Sequence, residues 1–212
     1  MRQKQNTIIL ICIAAVLISM FSGCTEAKKI TLEKKFFDLD VQPAPQYNNH
    51  FDAGSSLLVK QFSISPEYDS CSFVYRIKTN QLRQDYYNEF IRCPSVLISK
   101  KTAKALWSSP YFRSVPGVME NNIDLRLSGR ITALYADLRN RKSPEAVIAI
   151  HMILERKNTK GFCPLMSRTY TRKIPMDSPD PSRLAAAWSK GLSEIITEFI
   201  RNYSDLHSRD CG

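Results

Sequence analysis

The chain has 212 residues, 43% of them hydrophobic and 24% charged, with a formal net charge of +10. That length suits one domain of ordinary size with a real core, and it carries neither an internal repeat nor a second domain. The basic balance fits anionic lipid headgroups, an acidic partner or simply a solvated basic surface; nucleic acid fits it too, but a chain with the export signal read next rarely meets it.

In chain order, Arg2 and Lys4 form a short positive segment with no acid before Glu26. An apolar stretch follows from Ile8 to Phe21, broken only by Ser19. A helix crossing the hydrocarbon needs about 20 apolar residues, and this run is short by roughly a turn and a half. It fits the apolar region of a secretory signal peptide instead. The run closes on Phe21, Ser22, Gly23 and Cys24. This junction resembles the lipobox of bacterial lipoproteins, where the cysteine becomes the first mature residue and carries a diacylglycerol on its sulfur. Phe21 stands where those proteins usually place Leu. The expectation is a signal peptide over residues 1–23 and lipid attachment at Cys24. Two acyl chains, at about 0.8 kcal/mol per buried CH₂, suffice for stable anchoring without a spanning helix. Thr25 rather than Asp follows the cysteine, which by the same resemblance directs the protein to the outer membrane of a Gram-negative envelope, its domain facing the periplasm.

Removing residues 1–23 takes away Arg2 and Lys4 and no acid, so the charge falls from +10 to +8 over 189 residues. The densest basic cluster that remains is Arg139 to Lys142. Residues 24–34 form a polar tether, whose ten residues beyond the cysteine reach at most ~35 Å. The domain proper is expected over residues 35–206, with a polar tail over 207–212. Beyond Cys24 the mature chain has Cys71, Cys93, Cys163 and Cys211, an even number in an oxidising compartment. These are candidate disulfide cysteines, and all three connectivities stay open. No CxxC and no Cys/His ligand spacing is present, so neither a metal nor a cofactor is expected.

Residues 35–41 alternate apolar and polar and predict a first strand. Residues 42–56 have the Pro, Asn and Gly content of a loop. Residues 57–65 predict a second strand ended by Pro66, and 72–79 a third, with 84–90 pairing to it as a hairpin. Pro94 opens a helix through Trp107, stopped by Ser109 and Pro110. Its apolar residues Leu97, Ala103, Leu106 and Trp107 do not make a clean stripe. Residues 122–139 predict a long strand with Ile123, Leu125, Leu127, Ile131, Ala133 and Tyr135 on one face, bulged or bent at Gly129. Residues 145–157 are apolar on both faces, as in a covered central strand, and 165–176 read as the next antiparallel strand. Last comes a helix with Asp180 as N-cap and Pro181 in its first turn. Leu184, Trp188, Leu192, Ile195, Ile196, Phe199 and Tyr203 repeat along it at helical spacing, the pattern of core packing. The elements give an α+β single-domain sandwich, a mostly antiparallel or mixed sheet with two helices packed on it.

Chemical landmarks are few. Of the three histidines, His50 falls in a loop, His207 in the tail, and His151 in the most apolar strand, where a hydrogen-bonded core histidine is expected. Asp38 and Asp40 share one strand face and read as a solvated edge. There is no GxSxG, HExxH or Gly-rich phosphate loop, and nothing places a nucleophile beside a base. The reading is a binding protein, not an enzyme.

Several stretches in order, "KKFFDLD", "LLVKQFSI", "FVYRIKTNQLRQDYYNEFIRCPSVLI", "LWSSPYFRSV", "DLRLSGRITALYADL" and "LAAAWSKGLSEIITEFI", resemble the auxiliary lipoproteins of ABC-type transport systems. Those proteins accompany MCE-domain (mammalian-cell-entry type) lipid transporters of Gram-negative envelopes. The likeness runs from about residue 35 to 203. It is most specific from Tyr75–Arg76 through Tyr86 and Tyr87 to the helix after Pro94, and again at Gly129–Arg130–Ile131. Where the family often has a tryptophan before the helix, this chain has Ile91–Arg92–Cys93. The resemblance implies a membrane-anchored, non-catalytic accessory that docks on an MCE complex with its ABC permease and ATPase and serves phospholipid traffic between the two membranes. The alternatives are an envelope assembly or secretion lipoprotein and a stand-alone lipid carrier.

Overall fold

The computed structural model describes residues 33–43, 54–114 and 123–206. Cys24, the signal segment, most of the loop predicted over 42–56, His50, His207 and Cys211 lie outside the described residues. The chain divides into two units, Met1–Glu33 and Lys34–Gly212, and every element below belongs to the second.

Nine strands and two helices follow in the order β1 (Lys35–Phe37), β2 (Ser55–Val59), β3 (Ser63–Ile64), a 3₁₀ turn (Pro66–Tyr68), β4 (Ser72–Lys78), β5 (Gln81–Phe90), α1 (Pro94–Trp107), β6 (Phe112–Ser114), β7 (Leu125–Asp137), β8 (Glu145–Asn158), β9 (Gly161–Pro175) and α2 (Pro181–Ser204). The strands make one mixed sheet. Its backbone is the antiparallel ladder β7–β8–β9. The other side of β7 is shared, in turn, by parallel β2, β3 and β4. From β4 the sheet continues antiparallel to β5, which carries β1 in parallel at the edge. The architecture is α+β, as the sequence pattern implies.

Both helices cover one face. Along β8 the alternate residues Ala146, Ile148, Ile150, Met152 and Leu154 are all buried, and the stripe of α2 lies on them. Trp188 is fully buried between Phe73 and Phe90, and its indole N–H donates to the Val147 carbonyl at 3.1 Å. A buried tryptophan needs that partner, because leaving the N–H without one costs its full desolvation. The Asp180 carboxylate accepts from the Ser182 and Arg183 amides, the cap the sequence predicts. Helix α1 spans its predicted residues without a side-chain cap at Cys93. Ile98 and Thr102 complete its buried side, which explains the ragged apolar stripe; Trp107 sits at the rim and donates to the Leu57 carbonyl.

Four expectations are corrected. The strand predicted over 57–65 is two short strands, because residues 60–62 leave the ladder and turn Phe62 beneath β7. Gly129 is not a bulge: it pairs regularly with Met152, and a Cβ there would meet the Phe62 ring at 2.8 Å. The irregularity falls three residues on, between Ile131 and Ala133. An extra residue there shifts the alternation, so Ala133 and Tyr135 face away from Ile131 rather than alongside it. Finally, β8 is covered on both faces only at its start. Val147 and Ala149 are buried, whereas His151, Ile153 and Glu155 on the same side are half-buried.

Candidate functional site

His151 lies on the helix-free face of the sheet and is no core histidine. Its Nδ1 is 3.0 Å from the Thr169 hydroxyl and its Nε2 is 3.3 Å from the Ser167 hydroxyl, both on neighbouring β9. A serine beside a histidine has the first half of a nucleophilic dyad, but among the described residues the ring nitrogens meet only these two hydroxyls and no carboxylate orients the ring. These are cross-strand polar contacts. Asp38 and Asp40 do not share a strand face, because β1 ends at Phe37. The Asp38 carboxylate accepts from Lys101 at 2.7 Å, and the Asp40 amide donates to Ser189 on α2. Both fasten the chain after β1 across the helices. Among the described residues no group of three or more His, Cys, Asp or Glu is placed to hold a metal, and no helix is long and apolar enough to cross a membrane.

Of the candidate cysteines, Cys71 and Cys93 are joined, linking the start of β4 to the N-cap of α1 across 22 residues. Cys163 is disulfide-bonded as well.

The disulfide flanks a region where, among the described residues, large apolar side chains gather in the open. Phe37 and Phe90 point inward, onto Phe73 and Trp188 respectively. Their neighbours, by alternation, point outward. The parallel register sets Phe36 beside Glu89, and Lys34, two residues back on the same side, reaches the Glu89 carboxylate at 2.6 Å. The same ammonium stands 4.9 Å from the centre of the Tyr86 ring, and Tyr86 meets Tyr87 edge-on at 5.1 Å. Phe36, Tyr86 and Ile91 are 56%, 70% and 54% exposed, so this is a displayed aromatic patch rather than loose core.

A half-buried knot holds the patch out. Between Val74 and Ser72 the ladder to β5 breaks, and β5 runs from Gln84 to Glu89 against those two steps. Asp85 turns inward from this excess chain. It accepts from the Tyr75 hydroxyl at 2.8 Å, from the Tyr87 and Asn88 amides, and from the Asn88 side chain. Burial pushes the Asp85 carboxyl up, but the hydrogen bonds from Asn88, Tyr75 and the two amides outweigh it and hold it below the usual carboxylate range. Burial first, and then the bond to Asp85, pushes the Tyr75 phenol well up. Next door, Arg76 points to the other face, where its guanidinium lies 4.1 Å over the Tyr135 ring and bonds its hydroxyl. Tyr75 and Arg76 thus fix the β4–β5 hairpin from both faces. The sequence reading missed the patch. Its signal was there: adjacent Tyr86 and Tyr87 break the period of two, so one of them had to leave the ladder.

Among the surface hollows of the described residues, two border α2 and the residues that lead into it. A groove of about 650 Å³ runs between α2 and the segment after β1, with Arg172 clamped by Glu194 and Glu198. A second, of about 400 Å³, lies over Tyr75 between Pro179, Pro181 and Leu138, with Arg83 and Arg141 at its rim. In the first, Arg172 is already paired with Glu194 and Glu198, and the second shares Asp85 with the knot.

No family model and no curated relative matches this sequence. The fold is shared, however, with protein XCC0632 from Xanthomonas campestris, of the DUF330 family model, at a TM-score of 0.68 and 18% identity, covering 82% of this chain and 100% of that one. An uncharacterized protein of known structure is similar at a TM-score of 0.64 and 12% identity, over 81% of this chain and 99% of its own.

Proposed function

We propose that this protein is a lipid-anchored envelope lipoprotein acting as a non-catalytic accessory subunit of an ABC/MCE-type phospholipid transport system, tethered at Cys24 to the outer membrane with its domain in the periplasm. The observation that carries the reading is the fold, shared along the whole length of a DUF330 protein by a chain whose leader ends in a lipobox-like junction. The chemistry agrees. The described face carries a displayed patch and cross-strand polar pairs, with no acid–base machinery, which suits docking rather than turnover. The layer between sheet and α2 is filled by Ile148, Ile150, Leu192, Ile195 and Trp188, all fully buried. That packing favours an accessory over a carrier that shields an acyl chain between sheet and helices.

The test is a mild-detergent pull-down of C-terminally tagged protein from native envelopes, with mass spectrometry of the proteins and lipids recovered. Recovery of an MCE protein with its permease and ATPase is the expected result. Recovery of an envelope assembly or secretion machine, or of the lipoprotein alone with bound phospholipid, would replace the reading with one of the two alternatives.

A further inference from the structure

We propose that the outward β1–β5 edge, formed by Phe36, Tyr86 and Ile91 with Lys34 beside them, seats the domain on the phospholipid surface that anchors it, a proposal that rests on the lipid-anchor reading of Cys24. Three observations converge. The first is placement. The described domain starts at Lys34, only ten residues beyond Cys24, so the edge strand where the tether arrives lies within ~35 Å of the acyl chains at most. Lys34 itself touches Tyr86 and Glu89, which puts the point of entry inside the patch.

The second is chemistry. Two aromatic rings and an isoleucine stand on one rim with the Lys34 ammonium beside them. An amphipathic ring with a polar tip suits the headgroup level of a bilayer, and Lys and Arg lay their stems on apolar surface while their charges meet lipid phosphates. Residues 24–35 contain Lys28, Lys29, Lys34 and Lys35 against Glu26 and Glu33, a net charge of +2 that favours anionic headgroups over an acidic-free surface. The third is construction. The Asp85 knot and the Cys71–Cys93 disulfide hold the patch from two sides, and its inner neighbours Phe37 and Phe90 are packed on Phe73 and Trp188. The patch is therefore preorganised and does not need to give up packing to meet a membrane. Acyl chains alone leave a domain free to rotate; this second contact would fix which face points away from the membrane, towards a partner.

The full-length protein, reconstituted into vesicles of phosphatidylethanolamine and phosphatidylglycerol, tests this with an indole reporter. In Tyr86→Trp the added emission should fall about two-fold when the acyl chains are brominated, because interfacial side chains sit at the headgroup–acyl boundary. In Thr169→Trp, on exposed β9, it should not change. Adding Phe36→Asp and Ile91→Asp to Tyr86→Trp should weaken the quenching, and the mass of the N-terminal peptide reports acylation at Cys24. An acylated protein whose indole at position 86 is unquenched overturns the docking and leaves the anchor standing. Unmodified Cys24 in protein that leaves the vesicles overturns the anchor first, and the docking with it. An indole shielded only as protein concentration rises, independent of bromine, gives the patch to a second copy of the chain and also overturns the proposal.

Discussion

The two faces of this sheet are written in the same alternating strands and have opposite fates. On the covered face, β8 contributes five consecutive alternate residues at 0–1% exposure, closed over by the α2 stripe. On the open face the same strand offers His151 and Ile153 half-exposed, and at the far edge β1 and β5 display Phe36 and Tyr86. A packed face is constrained by volume, since each side chain there has neighbours on every side. An open face is constrained only by solubility and by whatever it meets. Stability is therefore expected to concentrate on one face and function on the other.

Mutations can break that contrast or sharpen it. The largest effect is expected at the covered face: Trp188→Ala removes a buried indole, its contacts with Phe73 and Phe90 and its bond to Val147, and should cost about 3–5 kcal/mol in urea unfolding. Next comes the disulfide beside the open patch. Replacing Cys71 and Cys93 by Ser frees a loop across 22 residues and should cost about 3 kcal/mol, read as a lower midpoint that reductant no longer changes further through this pair. Gly129→Ala follows, at about 1–3 kcal/mol, because its Cβ would press on the Phe62 ring; Phe62→Leu in the same chain should recover part of the loss.

Asp85 sharpens the comparison through pH. Its folded carboxyl is held below the ordinary range, so the stabilisation it contributes is fully present above that range and lost as pH falls through the folded value. Below about pH 4, amide exchange at Tyr87 and Asn88 should accelerate before that of β8, and Asp85→Asn should flatten this pH dependence. The smallest effect belongs to His151→Ala on the open face, within about 0.5 kcal/mol. A loss at His151 as large as that at Trp188 would refute the division of labour between the faces.

Much of the fold was legible because its strongest signals are local. The α2 stripe, its Asp180 cap and Pro181 are set by neighbours three or four residues away, and the structure keeps each of them. The β7–β8–β9 strands were legible because period-two patterning over more than ten residues leaves little else. The misreadings share a different cause. Gly129 looks like a bend from sequence, yet its reason is Phe62, 67 positions upstream in a segment that read as continuous strand. The true irregularity at Thr132 has no glycine to advertise it. His151 sat in so apolar a run that burial was the natural inference, and only the absence of a helix over that face leaves it half-open. The aromatic patch was half-visible, as two adjacent tyrosines, but its position beside Lys34 and the disulfide was not.

By itself, the sequence determined the α+β class, the two helices and the long hairpins. Each of these rests on residues close together along the chain, where periodicity, capping and turn chemistry act. Only the tertiary structure decided which face the helices cover, which cysteines meet, and that Phe36, Tyr86 and Ile91 share one exposed rim. Those depend on register between strands distant in sequence, and a register is fixed by the packing of the whole sheet rather than by any segment of it.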